Sequence, residues 1–165
     1  MTERSRAFKT FTHPLYFLAL GFGSGLSRYM PGTAGTIVAI PVFLLFQPLG
    51  LIWQLAIIAV SLVAGIYICD WVAKDMKIKD PGCIVWDEFV GLWIALLFLP
   101  AGWYWLVVGF LLFRLFDIAK PWPVSWLDQN LKGGLGIMMD DVAAGVMGLI
   151  SLQAIYHGAL YAGLF

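Results

Sequence analysis

Residues 51–72 read LIWQLAIIAVSLVAGIYICDWV, and Asp70, close to the end, is the one charged side chain in the run. A helix of that length rises about 33 Å, enough to cross a hydrocarbon core of about 30 Å. Two further stretches read the same way: residues 103–119, which end on the charged pair Arg114 and Asp117, and residues 142–165, which carry no charge at all. Shorter apolar segments at 36–46 and 89–99 precede the turns Gln47-Pro48-Leu49-Gly50 and Pro100-Ala101-Gly102. Pro and Gly break helices there, so each neighbouring pair is expected to form a tight helical hairpin. With 61% hydrophobic and 12% charged residues, the chain lacks the polar surface a soluble domain of 165 residues needs. The expectation is one all-α domain over residues 1–165, a polytopic membrane helical bundle of about five transmembrane helices. Residues 14–26 are too short and glycine-rich for a span and are expected to form an interfacial or re-entrant helix.

The charges have a side. The first thirteen residues are basic and polar, with Arg4, Arg6 and Lys9, and the short apolar stretch after them leads to no A-x-A cleavage site. The N-terminus is therefore expected to be retained and cytoplasmic. Both Pro/Gly turns are uncharged, whereas Lys and Arg lie in the N-terminal segment, at Arg28, at 74–79, and between Arg114 and Lys132. Alternating spans place those regions together, and the positive-inside rule makes that side cytoplasmic, with the C-terminus periplasmic. The acids Asp70, Asp75, Asp80, Asp87, Glu88, Asp117, Asp128, Asp140 and Asp141 fall on the same side. A formal net charge of zero gives no field to recruit nucleic acid. Cys69 and Cys83 have no metal-type spacing and read as isolated thiols. His13 and His157 fall on opposite faces, which gives a phosphohistidine mechanism little support.

Four constellations carry chemistry. Asp87-Glu88 opens the apolar helix before Gly91, and Asp140-Asp141 is expected to open another before Gly145. A cap and a favourable dipole account for one acid in each pair, and less well for two. Asp87 to Gly91 and Asp141 to Gly145 are both four-residue spacings, and a glycine one turn into each helix allows close backbone approach. Four carboxylates brought together repel or protonate unless a cation neutralises them. Hard oxygen donors without His or Cys suit Mg²⁺ or Mn²⁺. Arg114, Asp117 and Lys120 lie three apart on one helix face before Pro121. They read either as a snorkelling, self-neutralising helix end or as Asp117 for a metal and Lys120 for a phosphate. The turn Pro31-Gly32-Thr33-Ala34-Gly35-Thr36 offers backbone N–H groups and two hydroxyls to an anion, or is simply a small-residue membrane turn. Gly133-Gly134-Leu135-Gly136 is expected to be a flexible approach to the acids.

Taken in order, Pro31-Gly32-Thr33 with Gly35-Thr36, Val85-Trp86-Asp87-Glu88-Phe89-Val90-Gly91, Phe113-Arg114-Leu115-Phe116-Asp117 with Lys120-Pro121-Trp122-Pro123, and Gly133 to Asp141 with Ala144-Gly145 resemble the signature blocks of phosphatidylglycerophosphatase A. The resemblance runs from about Leu20 to Gly148. It implies a bacterial inner-membrane, Mg²⁺-dependent phosphatase that removes the terminal phosphate of phosphatidylglycerophosphate and leaves phosphatidylglycerol. Arg28 departs from the pattern, standing where a proline is expected and adding a cation near the anion turn.

The expected site follows. Asp87, Glu88, Asp140 and Asp141 bind one or two Mg²⁺, with Asp117 as a further ligand or base. Lys120, Arg114, Arg28 and the turn carrying Gly32, Thr33 and Thr36 hold the phosphate, Arg114 chiefly by orienting Asp117. The competing class is a small transporter or channel using intramembrane carboxylates. Acids gathered at one side, with an almost uncharged outer half, disfavour a through-pathway. The spans could pack within one chain or across a homo-oligomer.

Overall fold

The computed structural model describes residues 9–79 and 81–163, so Arg4, Arg6, Asp80 and the last two positions of the 142–165 stretch lie outside the described residues. Regular structure among the described residues is helical throughout. The order is α1 (Pro14–Ala19), a 3-10 segment (Gly21–Leu26), α2 (Pro31–Phe46), a 3-10 turn (Gln47–Leu49), α3 (Leu51–Met76), α4 (Trp86–Ala95), α5 (Trp103–Ala119), α6 (Val124–Asn130) and α7 (Gly133–Tyr161). Three helical stretches among the described residues are long and apolar enough to cross a membrane: Pro31–Leu49, Leu51–Met76 and Gly133–Tyr161. The 17 residues of α5 rise about 26 Å and the 10 of α4 about 15 Å.

The short helix α4 is the core. Trp86 and every residue from Phe89 to Ala95 are buried, as a helix apolar on all sides must be. It ends at Ala95 because Phe98 takes a positive φ of 57° and Pro100 follows, which halts helical continuation. Two indoles tie it to its neighbours. Trp93 Nε1 donates to the Ala39 carbonyl of α2 at 3.0 Å, and Trp86 Nε1 donates to the Ser61 carbonyl of α3 at 3.1 Å. Trp86 also stacks on Phe89 with ring centroids 5.4 Å apart.

Helix α7 packs against α3, α4, α5 and α6. Where α4 and α7 meet, their backbones touch: a Cβ at Gly145 would run into the Gly91 carbonyl, and one at Gly91 would lie 2.7 Å from the Asp141 carbonyl. The close approach foreseen from the two glycine spacings is therefore present.

Three expectations need correction. The pair α2 and α3 share the 47–50 turn but do not form a tight hairpin; α2 packs chiefly on α4, which is bonded to both of them through its indoles. The second pair, α4 and α5, does pack together. Asp140 and Asp141 do not open a helix either, because α7 begins at Gly133. Gly134-Leu135-Gly136 is helical rather than a flexible approach. The Gly134 N–H donates to Asp70 Oδ1 at 3.1 Å, and a Cβ at 134 would strike the Ile66 carbonyl. The glycine lets the first turn of α7 lie directly on the backbone of α3.

The 14–26 segment is too short and broken to span. Phe22 and Gly23, with φ of 59° and 98°, break the six-residue 3-10 segment that follows the six-residue α1. It is pinned to the rest: Val85 N–H donates to the Ala19 carbonyl at 2.9 Å, and the Tyr16 hydroxyl donates to Asp75 at 2.6 Å. Lys9 pairs with the same carboxylate, and His13 stacks on Trp71 at 4.9 Å. Burial, helped by the hydrogen bond and charge of Asp75, pushes the Tyr16 hydroxyl above the usual phenol range.

Candidate active site

The charged ends of α4, α5 and α7, with the α6 segment, enclose one cavity of about 560 Å³. Asp87, Glu88, Asp117, Asp128, Asp140 and Asp141 line it, and so do Lys79, Lys120 and Lys132. All five acids expected to be catalytic thus line one cavity, from three separate helices.

Asp87 and Glu88 occupy the first turn of α4, where the helix dipole favours negative charge, but the N-cap residue is Val85 and makes no side-chain cap. Capping therefore does not explain the pair, and the two acids have different surroundings. Asp87 Oδ1 accepts the Glu88 N–H at 3.0 Å. Glu88 accepts from Arg114 Nη1 at 2.5 Å and from the Thr36 hydroxyl. Arg114 Nη1 also donates to Asp117 at 2.6 Å. Its side chain is 14% exposed and that of Glu88 12%, so this is a largely desolvated network joining α2, α4 and α5. Thr36 Oγ1 also lies 2.8 Å from the Gly32 carbonyl, so its single proton serves one acceptor at a time.

Asp140 and Asp141 are 7% and 4% exposed. Lys120, in the left-handed conformation that ends α5, donates to Asp140 Oδ2 and to Asp128 Oδ1, each at 2.8 Å. Burial works against the ammonium, but its hydrogen bonds to the Asp128 and Asp140 carboxylates outweigh it and hold Lys120 above the ordinary lysine value. Asp140 Oδ1 and Asp141 Oδ2 are buried with no hydrogen-bond partner. Buried carboxylate oxygens without donors are costly unless a cation compensates them. Among the described residues no three side chains converge as a ready metal cage. The donor chemistry nevertheless fits a hard divalent cation: carboxylates only, partly orphaned, on one polar cavity.

The residues expected to hold phosphate divide. Lys120 lines the cavity, and Arg114 reaches it through Glu88 and Asp117. Gly32, Thr33 and Thr36 do not line it. The turn packs on Glu88 instead, since a Cβ at Gly32 would overlap that carboxyl group. Arg28 is exposed and also away from the lining. Neither His13 nor His157 lines the cavity, and Cys69 and Cys83 are free and buried. Sequence reasoning gave no role to Asp128, Lys79 or Lys132. Only Asp128 left a trace, eight residues past Lys120 across the Pro121–Pro123 turn.

A family model described as phosphatidylglycerophosphatase A matches residues 17–156, a range that contains every acid of the cavity. Phosphatidylglycerophosphatase A of Escherichia coli (strain K12) is 47% identical over 149 residues, covering 88% of this chain and 86% of that protein. Phosphatidylglycerophosphatase A of Haemophilus influenzae (strain ATCC 51907 / DSM 11121 / KW20 / Rd) is 42% identical over 166 residues, covering 97% of this chain and 100% of that protein. No solved structure matches. An acidic cavity in a membrane-type helical bundle, matched across nearly the whole chain by these relatives, means that the protein is a phosphatase and belongs to the phosphatidylglycerophosphatase A family.

Proposed function

We propose that this chain is a single-domain, Mg²⁺-dependent enzyme that hydrolyses phosphatidylglycerophosphate to phosphatidylglycerol and phosphate at the cytoplasmic face of a bacterial inner membrane. The observation that carries the reading is the pair of buried, partnerless oxygens on Asp140 and Asp141, two residues that line a cavity together with Asp87 and Asp117. Asp140 and Asp141, with their unpartnered oxygens, would hold the ion, with Asp87 and Asp117 beside them. Bound there, Mg²⁺ supplies Lewis-acid neutralisation of the phosphate oxygens. The protein supplies the remaining functions. Arg114 fixes Asp117 through one carboxylate oxygen, leaving the other to accept the proton of a water that attacks phosphorus as the P–O bond to glycerol breaks, and to return that proton to the departing glycerol oxygen. Glu88 is engaged by Arg114 and Thr36 and acts by orienting Arg114. Lys120 presents its ammonium 2.8 Å from Asp140, beside the position a phosphate would take.

Five crossings, α2, α3, α4, α5 and α7, put the N-terminus and the cavity on the cytoplasmic side. The uncharged turns at 47–50 and 100–102 support that arrangement. The test is phosphate release from phosphatidylglycerophosphate by purified protein in detergent, with and without Mg²⁺, and with phosphatidic acid in parallel. Mg²⁺-dependent release that prefers the glycerophosphate lipid is expected. No release from either lipid by folded protein would overturn the reading.

A further inference from the structure

The lysines on the charged side of the bundle are not equivalent. Lys9 is paired with Asp75, Lys74 with Asp70 at 2.6 Å, and Lys120 with Asp128 and Asp140. Lys79 and Lys132 line the same cavity as the acids, yet neither has a carboxylate within ion-pair distance among the described residues. Both are exposed, whereas Asp140 and Asp141 are buried. The cavity therefore has two electrostatic zones: an acidic floor suited to a cation, and a rim with two uncommitted ammonium groups suited to an anion. Lysines beside membrane helices often serve only topology. These two differ in facing a shared cavity while the other cations that reach it, Arg114 and Lys120, are held by carboxylates.

Lys79 and Lys132 also come from separate places. Lys79 lies in the loop between α3 and α4, and Lys132 is the N-cap residue of α7. Gly82 and Gly133, near each lysine, also line the cavity. The first-turn N–H of Gly134 is taken by Asp70, and the lysine side chains carry the full positive charges at the rim.

The proposed substrate carries two phosphates, a terminal monoester that is cleaved and a diester that remains in the product. Only one of them can lie over the acidic floor. Resting on the function proposed above, we infer that Lys79 and Lys132 bind the phosphodiester that is not cleaved. The rim is then a specificity subsite: it recognises a lipid with a second phosphate one glycerol away from the reacting one. Phosphatidic acid, with a single phosphate attached directly to diacylglycerol, offers the rim nothing.

The experiment is steady-state hydrolysis of phosphatidylglycerophosphate in mixed micelles by the full chain. It compares wild type, Lys79→Gln/Lys132→Gln, Lys79→Arg/Lys132→Arg and Lys77→Gln, the last an exposed lysine off the cavity lining. Inhibition by inorganic phosphate, which offers only the reacting group, is measured in the same assay. The double Gln variant is expected to raise KM by roughly ten- to fiftyfold with little change in kcat, as two charge-assisted contacts at an exposed rim are lost. Its inhibition constant for inorganic phosphate should stay at the wild-type value, the double Arg variant should restore KM, and Lys77→Gln should behave as wild type. If KM and the phosphate inhibition constant rise together, the lysines serve the reacting phosphate and the inference fails. An unchanged KM, or an equal rise in Lys77→Gln, also overturns it. Failure of wild type to hydrolyse the lipid at all is a different result, which removes the proposed function and this subsite with it.

Discussion

At the level of single residues, the acids divide by what holds them. Glu88 and Asp117 are paired with Arg114, while Asp141 Oδ2 and Asp140 Oδ1 are buried without a donor. Replacing Arg114 with Met would leave two desolvated carboxylates unpaired and is expected to cost about 3–5 kcal/mol. Thermal unfolding in detergent measures it, and Arg114→Met/Glu88→Gln should recover part of the loss by removing one stranded charge. A double variant no more stable than the single one would show that the pairing is not the source. Asp141→Asn should do the reverse. It removes a buried charge that lacks a protein partner, so the melting temperature holds or rises while phosphate release falls by roughly 10²–10³-fold. Added Mg²⁺ should raise the melting temperature of wild type and not of Asp141→Asn, a readout independent of turnover. Equal stabilisation of both proteins by Mg²⁺ would take Asp141 out of the ion site.

Among the elements, the contact between α4 and α7 positions the chemistry. A methyl group at Gly91 would press on the Asp141 carbonyl and the Phe113 ring, with distances of 2.7 Å and 2.6 Å from the ideal Cβ. Gly91→Ala is therefore expected to destabilise by about 1–3 kcal/mol and to lower activity further by displacing Asp141. Gly158→Ala, which meets open space within the same α7, should be neutral or stabilising by up to about 1 kcal/mol. Melting temperatures of the two variants, with phosphate release for each, check the contrast. These elements also show what the sequence made legible. Paired acids beside apolar runs stand out as chemical outliers, and the matched glycine spacings pointed to the close contact. The start of α7 was not legible, because Gly133, Gly134 and Gly136 have poor helix propensity and only packing on α3 makes them necessary. The hairpin of α2 and α3 was misread because a short turn fixes which helices follow one another, not which surfaces they bury. The partnership of Thr36 with Glu88 joins residues 52 apart and leaves no local sequence signal.

At the scale of the whole molecule, the proposed topology places the Gln47–Leu49 turn and the start of α5 on one side of the membrane and the end of α3 on the other. Buried Cys69 and Cys83 leave a quiet background for labelling. Leu49→Cys and Trp103→Cys, at exposed positions, should react with an impermeant thiol reagent from outside intact spheroplasts, and Lys77→Cys only after permeabilisation. Labelling of Lys77→Cys from outside would reverse the arrangement. The packing of α7 against α3, α4, α5 and α6 has a further consequence, for biosynthesis. A ribosome makes α7 after all of them, so the earlier helices reach the insertion machinery before the partner that fills the space between them. Asp87 and Glu88 must wait at the membrane with no Asp140, no Asp141 and no completed cavity. Assembly of the proposed catalytic centre would therefore follow insertion of the earlier helices. A nascent chain interrupted before Gly133 would lack Asp140 and Asp141 and is expected to release no phosphate.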